Sequence, residues 1–170
     1  MPLNALFGVS ILMSFVAFGL ATKLYFWPRL ARQPREAALT GLVVPHTFRF
    51  VGLSFLVPGV VNPALPAAFA APAAYGDLVA AMLAVIAVLA LDARTPWAIP
   101  VVWLFNLWGT ADLLFAIWQG QLGVGIDARD LGAAFYIPTV VVPPLLILHA
   151  LIFRLLLSPP SPRACRSSRP

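Results

Sequence analysis

Apolar and polar positions fall in long blocks along this chain rather than in short alternation. Five apolar blocks stand out. An α-helix crosses the roughly 30 Å hydrocarbon core of a bilayer with about 20 residues at a rise of about 1.5 Å each. The blocks lie at about residues 3–27, 37–57, 77–91, 97–118 and 131–157. The pattern predicts an all-α fold, an integral membrane bundle of about five transmembrane helices. These form one domain over residues 1–157, and residues 158–170 are expected to be a disordered, basic, cytoplasmic tail.

Prolines, charges and interfacial aromatics mark the breaks. Pro28 ends the first span behind Tyr25 and Trp27, and Pro58, Pro63 and Pro66 follow the second. Residues 64–76 are apolar, uncharged and too short to span, so they read as an interfacial or re-entrant segment on the outer face. Asp77 then stands as a candidate N-cap for the third helix. About 15 residues is short for a span, which leaves open a start inside the preceding segment. Pro143 and Pro144 predict a kink in the fifth span and free carbonyls near Thr139 and Val140. Ser10, Ser14, Ala17 and Ala21 make a small-residue stripe on the first helix, as do Ala80, Ala84 and Ala87 on the third. Such stripes permit close helix approach, within one chain, in a homo-oligomer or against a partner subunit.

Composition agrees with lipid as the solvent. The chain is 61% hydrophobic and 10% charged, against roughly 25% charged in soluble domains. The net charge of +5 does not point to nucleic acid, because the basic residues flank the spans. With the N-terminus outside, Lys23, Arg29, Arg32, Arg35, Arg94, Arg154, Arg163, Arg166 and Arg169 are all cytoplasmic. Arg129 is then outside and Arg49 lies within a span, whereas the inverted topology breaks the positive-inside rule. The single cysteine, Cys165, excludes an intramolecular disulfide and reads as a free thiol.

Polar residues inside a span are costly and are functional candidates by default. Counted from the cytoplasmic ends, His46 and Asn106 lie about 14 Å deep, His149 about 12 Å, Arg49 about 18 Å and Asp112 about 22 Å. His46 and Arg49, three apart, project from one side of the second helix. On the fourth helix Asn106, Gly109, Asp112 and Ala116 share an arc, and Gly109 removes bulk where a neighbour must approach. An Arg49–Asp112 pair is the expected contact, with Asp77 at a different depth. Two meanings are open: an ion pair that locks helices together, or a polar pocket of His46, Arg49, Asn106 and Asp112 for a small ligand or a proton.

The histidines allow a further alternative. His46 and His149, on two helices at similar depth, are candidate axial ligands of a haem. Against that, His46 has a structural use as a donor to the Gly41 carbonyl, freed by Pro45. Zinc lacks a third and fourth ligand. No phosphate loop, nucleophile elbow or other catalytic signature is present. An enzyme acting on lipid through His46 or Asp112 as base has nothing further in its favour.

Two stretches, Pro66-Ala-Ala-Phe-Ala-Ala-Pro-Ala-Ala-Tyr-Gly-Asp77 and Leu104-Phe-Asn-Leu-Trp-Gly-Thr-Ala-Asp-Leu-Leu-Phe-Ala116, resemble small, uncharacterised bacterial multi-pass membrane proteins. The resemblance covers the central half of the chain. It implies a bacterial inner-membrane setting, and it carries no activity and no functional residues. The leading expectation is a small binding or transport subunit with a polar intramembrane pocket. The alternatives are a haem-binding redox protein and a structural subunit of a membrane complex.

Overall fold

The computed structural model describes residues 2–158. The basic tail, apart from Ser158, and Cys165 within it lie outside the described residues. Among the described residues the chain is helical, without a strand. Five helices are long and apolar enough to cross a membrane: α1 (Leu3–Leu30), α2 (Arg35–Leu56), α3 (Ala67–Asp92), α4 (Ala98–Gly123) and α5 (Ile137–Leu157).

Two apolar layers sandwich a polar one. At one end Leu39, Leu42, Ala84, Val102, Phe105 and Ile152 pack together. At the other Phe55, Phe69, Ala73, Leu131, Ala134 and Ile137 do so. The first end also carries the basic groups of the described residues, apart from those of the polar layer and Arg129. Arg35 donates from Nε to the Leu155 carbonyl at 3.1 Å and from Nη2 to that of Leu156 at 2.8 Å, capping the open carbonyls of α5. The Arg154 guanidinium lies 4.1 Å from the Trp27 ring centroid, joining the ends of α1 and α5.

The second helix is α-helical only to Val43, and Val44–Leu56 is a 3-10 helix. Three residues per turn put every third side chain on one line. That line is His46, Arg49, Gly52 and Phe55, and these four are the buried residues of the segment. In an α-helix each step of three would drift by about 60°, carrying Phe55 to the opposite side from His46. The 3-10 winding therefore turns the polar row inward along its whole length.

Two prolines leave carbonyls without a helical donor, and other helices supply one. Pro72, inside α3, cannot donate to Ala68, whose carbonyl accepts from the Gln119 amide of α4. Pro143 cannot donate to Thr139, whose carbonyl accepts from the Ser14 hydroxyl of α1. The freed carbonyl expected at Thr139 thus becomes a tie between helices, beside a π turn over Ile137–Val141.

Two expectations need correction. Residues 64–76 are not a re-entrant segment, because α3 starts at Ala67 and runs unbroken to Asp92, so Ala67–Gly76 is its first part. Asp77 is accordingly mid-helix, not an N-cap. The fifth long helix starts at Ile137, not near 131. Residues Ala128–Phe135 form a separate 3-10 segment bent at Gly132, with φ +52°. There Ala133 donates to the Val60 carbonyl at 2.8 Å and Asn62 to that of Asp130 at 3.0 Å, sealing this end of the bundle.

The alanine stripe of α3 is fully used within the chain: Ala80, Ala84 and Ala87 are each 0% exposed. The first helix differs, for it has no buried residue and its stripe meets α5 through Ser14 alone among its polar groups.

Candidate functional site

Arg49 is the hub of the polar layer. It is 1% exposed, and its Nε donates to Asp77 Oδ1 at 2.7 Å while Nη2 donates to Asp112 Oδ2 at 2.6 Å. Its Nη1 donates to the Gly109 carbonyl at 3.1 Å and lies 3.4 Å from His149 Nε2. One guanidinium thus joins α2, α3, α4 and α5. Charge-assisted bonds of this length are stronger than neutral ones, and the planar fork suits two carboxylates at once.

Around this hub the bonds assign the tautomer of His149. Its Nε2 faces a cation that can only donate, so Nε2 accepts and the proton sits on Nδ1. Nδ1 then donates to Asn106 Oδ1 at 2.7 Å, and Asn106 Nδ2 donates back to the His149 carbonyl at 3.3 Å. His149 is therefore a neutral acceptor locked between Arg49 and Asn106.

Three glycines, one from each of α2, α3 and α4, make the space. A Cβ on Gly52 would collide with the Asp77 carboxylate, and one on Gly76 with Asp112 Oδ1. A Cβ on Gly109 would sit 2.6 Å from His149 Cε1 and 2.8 Å from Arg49 Nη1. No side chain larger than hydrogen fits at any of the three without moving the charged groups.

His46 is the exception in the layer. It is 0% exposed, and neither ring nitrogen has a hydrogen-bond partner. The expected bond to the Gly41 carbonyl is not made. Instead the ring packs on His149, with centroids 4.2 Å apart and planes at 49°, and edge-on to Phe105 at 5.0 Å. This contact removes the geometric basis for the haem alternative. Metal–imidazole bonds of about 2.0 Å on either side of an iron would hold the ring centroids roughly 6 Å apart, with a planar slot between them. These rings touch, and His149 already uses both nitrogens.

Beyond the hub, toward the end of the bundle opposite the arginine-bearing loops, lies a cavity of about 410 Å³. Its walls are apolar and come from all five helices, through Phe7, Phe55, Phe69, Leu113 and Ile137 among others. Asp77 and Asp112 line it as well, each with 11% of its side chain exposed. Its volume falls in the roughly 300–1,000 Å³ range of small-molecule sites, which are mostly apolar with a few placed polar groups.

The structure brings His46, Arg49, Asn106, Asp112 and His149 into one layer. It adds Asp77, which a helix start at residue 77 would set at another depth. The signal was present, since Asp77 is the one charge between Ala67 and Leu91. Gly52 was also legible, as the next member of the row of threes that begins at His46 and Arg49.

Removing Arg49 leaves two buried carboxylates without a counter-charge, a change that costs about 3–5 kcal/mol when one partner of a buried ion pair is lost. Arg49→Met should therefore lower the thermal unfolding temperature in detergent sharply. The triple variant Arg49→Met, Asp77→Asn, Asp112→Asn should recover most of the loss, read by the same unfolding curve. Equal loss in both would show that the charges are not what couples these residues.

Neither a curated protein sequence nor a solved structure matches the chain. A family match does exist, over residues 6–157, and it takes in the five long helices, apart from the first three residues of α1, and every residue of the polar layer. The chain belongs to the family described as Domain of unknown function (DUF8737).

Proposed function

We propose that this protein is a five-span component of a bacterial inner membrane that binds a small lipophilic molecule in the outer half of its bundle. The observation that carries the reading is the apolar cavity of about 410 Å³ whose inner end meets the Arg49–Asp77–Asp112 triad. The positive-inside rule supports a cytoplasmic C-terminus and an outside N-terminus, which puts the cavity toward the outer face. Below the polar layer, which also holds His46, Asn106 and His149, the core is apolar and built from Leu42, Ala84, Val102 and Phe105. A holding site is therefore better supported than a continuous path across the bundle.

A second reading, a charged lock with no ligand, is favoured by the complete pairing of the Arg49 nitrogens. The two readings separate at the cavity rather than at the triad. A lock needs Arg49 and its partners, but has no use for a cavity lined by Phe7 and Gly8 of α1.

Photolabelling tests the binding reading. An apolar alkyl diazirine, irradiated with the protein in lipid nanodiscs, should label Phe7, Phe69 and Leu113, mapped by peptide mass spectrometry. A Cβ on Gly8 meets nothing within 4 Å, so Gly8→Phe should fold normally. It should cut cavity labelling by about tenfold, the equivalent of about 1.4 kcal/mol of lost occupancy. Labelling confined to outward-facing side chains, or unchanged in Gly8→Phe, would favour the lock.

Topology has its own test, in spheroplasts of a Cys165→Ser background. Val124→Cys should react with an impermeant maleimide in intact spheroplasts, and Arg94→Cys only after lysis. The reverse pattern would overturn the orientation.

A further inference from the structure

We infer that the ligand of this cavity carries a primary ammonium on an apolar body, with the ammonium seated against Asp77 and Asp112; this rests on the cavity being a binding site. The inference starts from the charges. The triad joins one guanidinium to two carboxylates, and His149 is held neutral by its bonds to Arg49 and Asn106. With both aspartates ionised the group carries one uncompensated negative charge, in surroundings where an unpaired charge is expensive.

The free acceptors point the same way. Arg49 uses Asp77 Oδ1 and Asp112 Oδ2. Among the described residues no hydrogen bond reaches Asp77 Oδ2 or Asp112 Oδ1, and the carboxylates line the cavity. Each of these oxygens also has a glycine behind it, Gly52 for Asp77 and Gly76 for Asp112, where no side-chain donor exists. The glycine side thus offers no side-chain donor, and the cavity is the open space that both carboxylates line.

The cavity's own side-chain donors are only the Asn4 and Gln121 amides, and neither bonds a carboxylate. Its walls are phenylalanine, isoleucine, leucine and alanine around the two carboxylates, with Asn4 and Gln121 near the chain's N-terminal end of the bundle. An ammonium brings three donors and one positive charge, so it can bond both free oxygens and balance the group. An alcohol satisfies an oxygen but leaves the charge. A carboxylate ligand adds to the charge and lacks a donor. The apolar body then fills the space between Phe7, Phe55 and Phe69. A membrane lipid with a primary-amine headgroup and a free long-chain amine share this chemistry.

The test is competition against the alkyl diazirine, in nanodiscs of phosphatidylcholine alone, with decylamine, decanol and decanoate compared at equal mole fraction in the bilayer. Decylamine should displace the label at about one tenth the mole fraction needed for decanol, with decanoate weakest; tenfold corresponds to about 1.4 kcal/mol. The ordering should collapse in Asp77→Asn and in Asp112→Asn, whose side chains keep the carboxylate's shape. Equal displacement by decylamine and decanol in the wild type would overturn the ammonium assignment while leaving the cavity a binding site. If none of the three displaces a label that does sit in the cavity, or if no label sits there, the binding reading itself fails. Including phosphatidylethanolamine in the nanodisc distinguishes the sources. Loss of label at Phe7 and Phe69 there identifies a lipid headgroup and supports the ammonium assignment; an unchanged label excludes that headgroup, and leaves a free amine as the source only where decylamine still displaces the label ahead of decanol.

Discussion

The guanidinium of Arg49 must find partners wherever the bundle closes, because a charge that is 1% exposed among apolar helices has no water to fall back on. It finds them on three other helices at once, in the carboxylates of Asp77 and Asp112, the Gly109 carbonyl and the His149 ring. Much of the rest of the molecule follows from that constraint. The glycines at 52, 76 and 109 keep clear the space the charged groups occupy. The 3-10 winding of α2 turns His46, Arg49 and Gly52 onto one inward line. Interhelical hydrogen bonds between neutral side chains contribute only about 0.6 kcal/mol on average, so a multiply bonded ion triad can outweigh many of the other polar contacts in fixing helix register.

The triad also divides the bundle in two. Toward the arginine-bearing end the helices meet through alanine on α3 and leucine, valine and phenylalanine around it, and the packing is closed. Toward the other end the helices spread around a cavity, and α1 covers one side of it without burying any residue of its own. Two hydrogen bonds to proline-freed carbonyls, from Ser14 to Thr139 and from Gln119 to Ala68, tie this looser half together. The same prolines that interrupt helices thereby create the acceptors that hold neighbouring helices in place. His46 remains outside this logic: its ring fills space against His149 and Phe105, yet both nitrogens lack partners.

Sequence alone carried the helical architecture well, because long uncharged apolar blocks have few other solutions. It placed Arg49 and Asp112 on facing sides of their helices, since helical phase is fixed by counting residues. It failed where proline was read as punctuation. Pro66 does precede a helix, but Pro72 sits inside one, and the alanine-rich stretch around it is the first part of α3. That single boundary error moved Asp77 from mid-helix to a helix start, and so hid one of the two carboxylates that Arg49 binds. The start of α5 was misplaced for a related reason, as Gly132 bends a segment whose apolar composition gives no sign of the break. The cavity could not be read at all, because empty space depends on how side chains from five helices fail to meet, which no local pattern encodes.

The three-way contact of Arg49 is open to direct measurement. In protein reconstituted into bilayers, solid-state NMR can record dephasing of aspartate side-chain carbonyl 13C by arginine guanidinium 15N. Two strongly dephased carboxyl signals are predicted, one lost in Asp77→Asn and the other in Asp112→Asn, and both lost in Arg49→Met. A spectrum in which neither substitution removes a dephased signal, or in which only one aspartate is close to Arg49, would contradict the bridged hub on which the cavity and its charge depend.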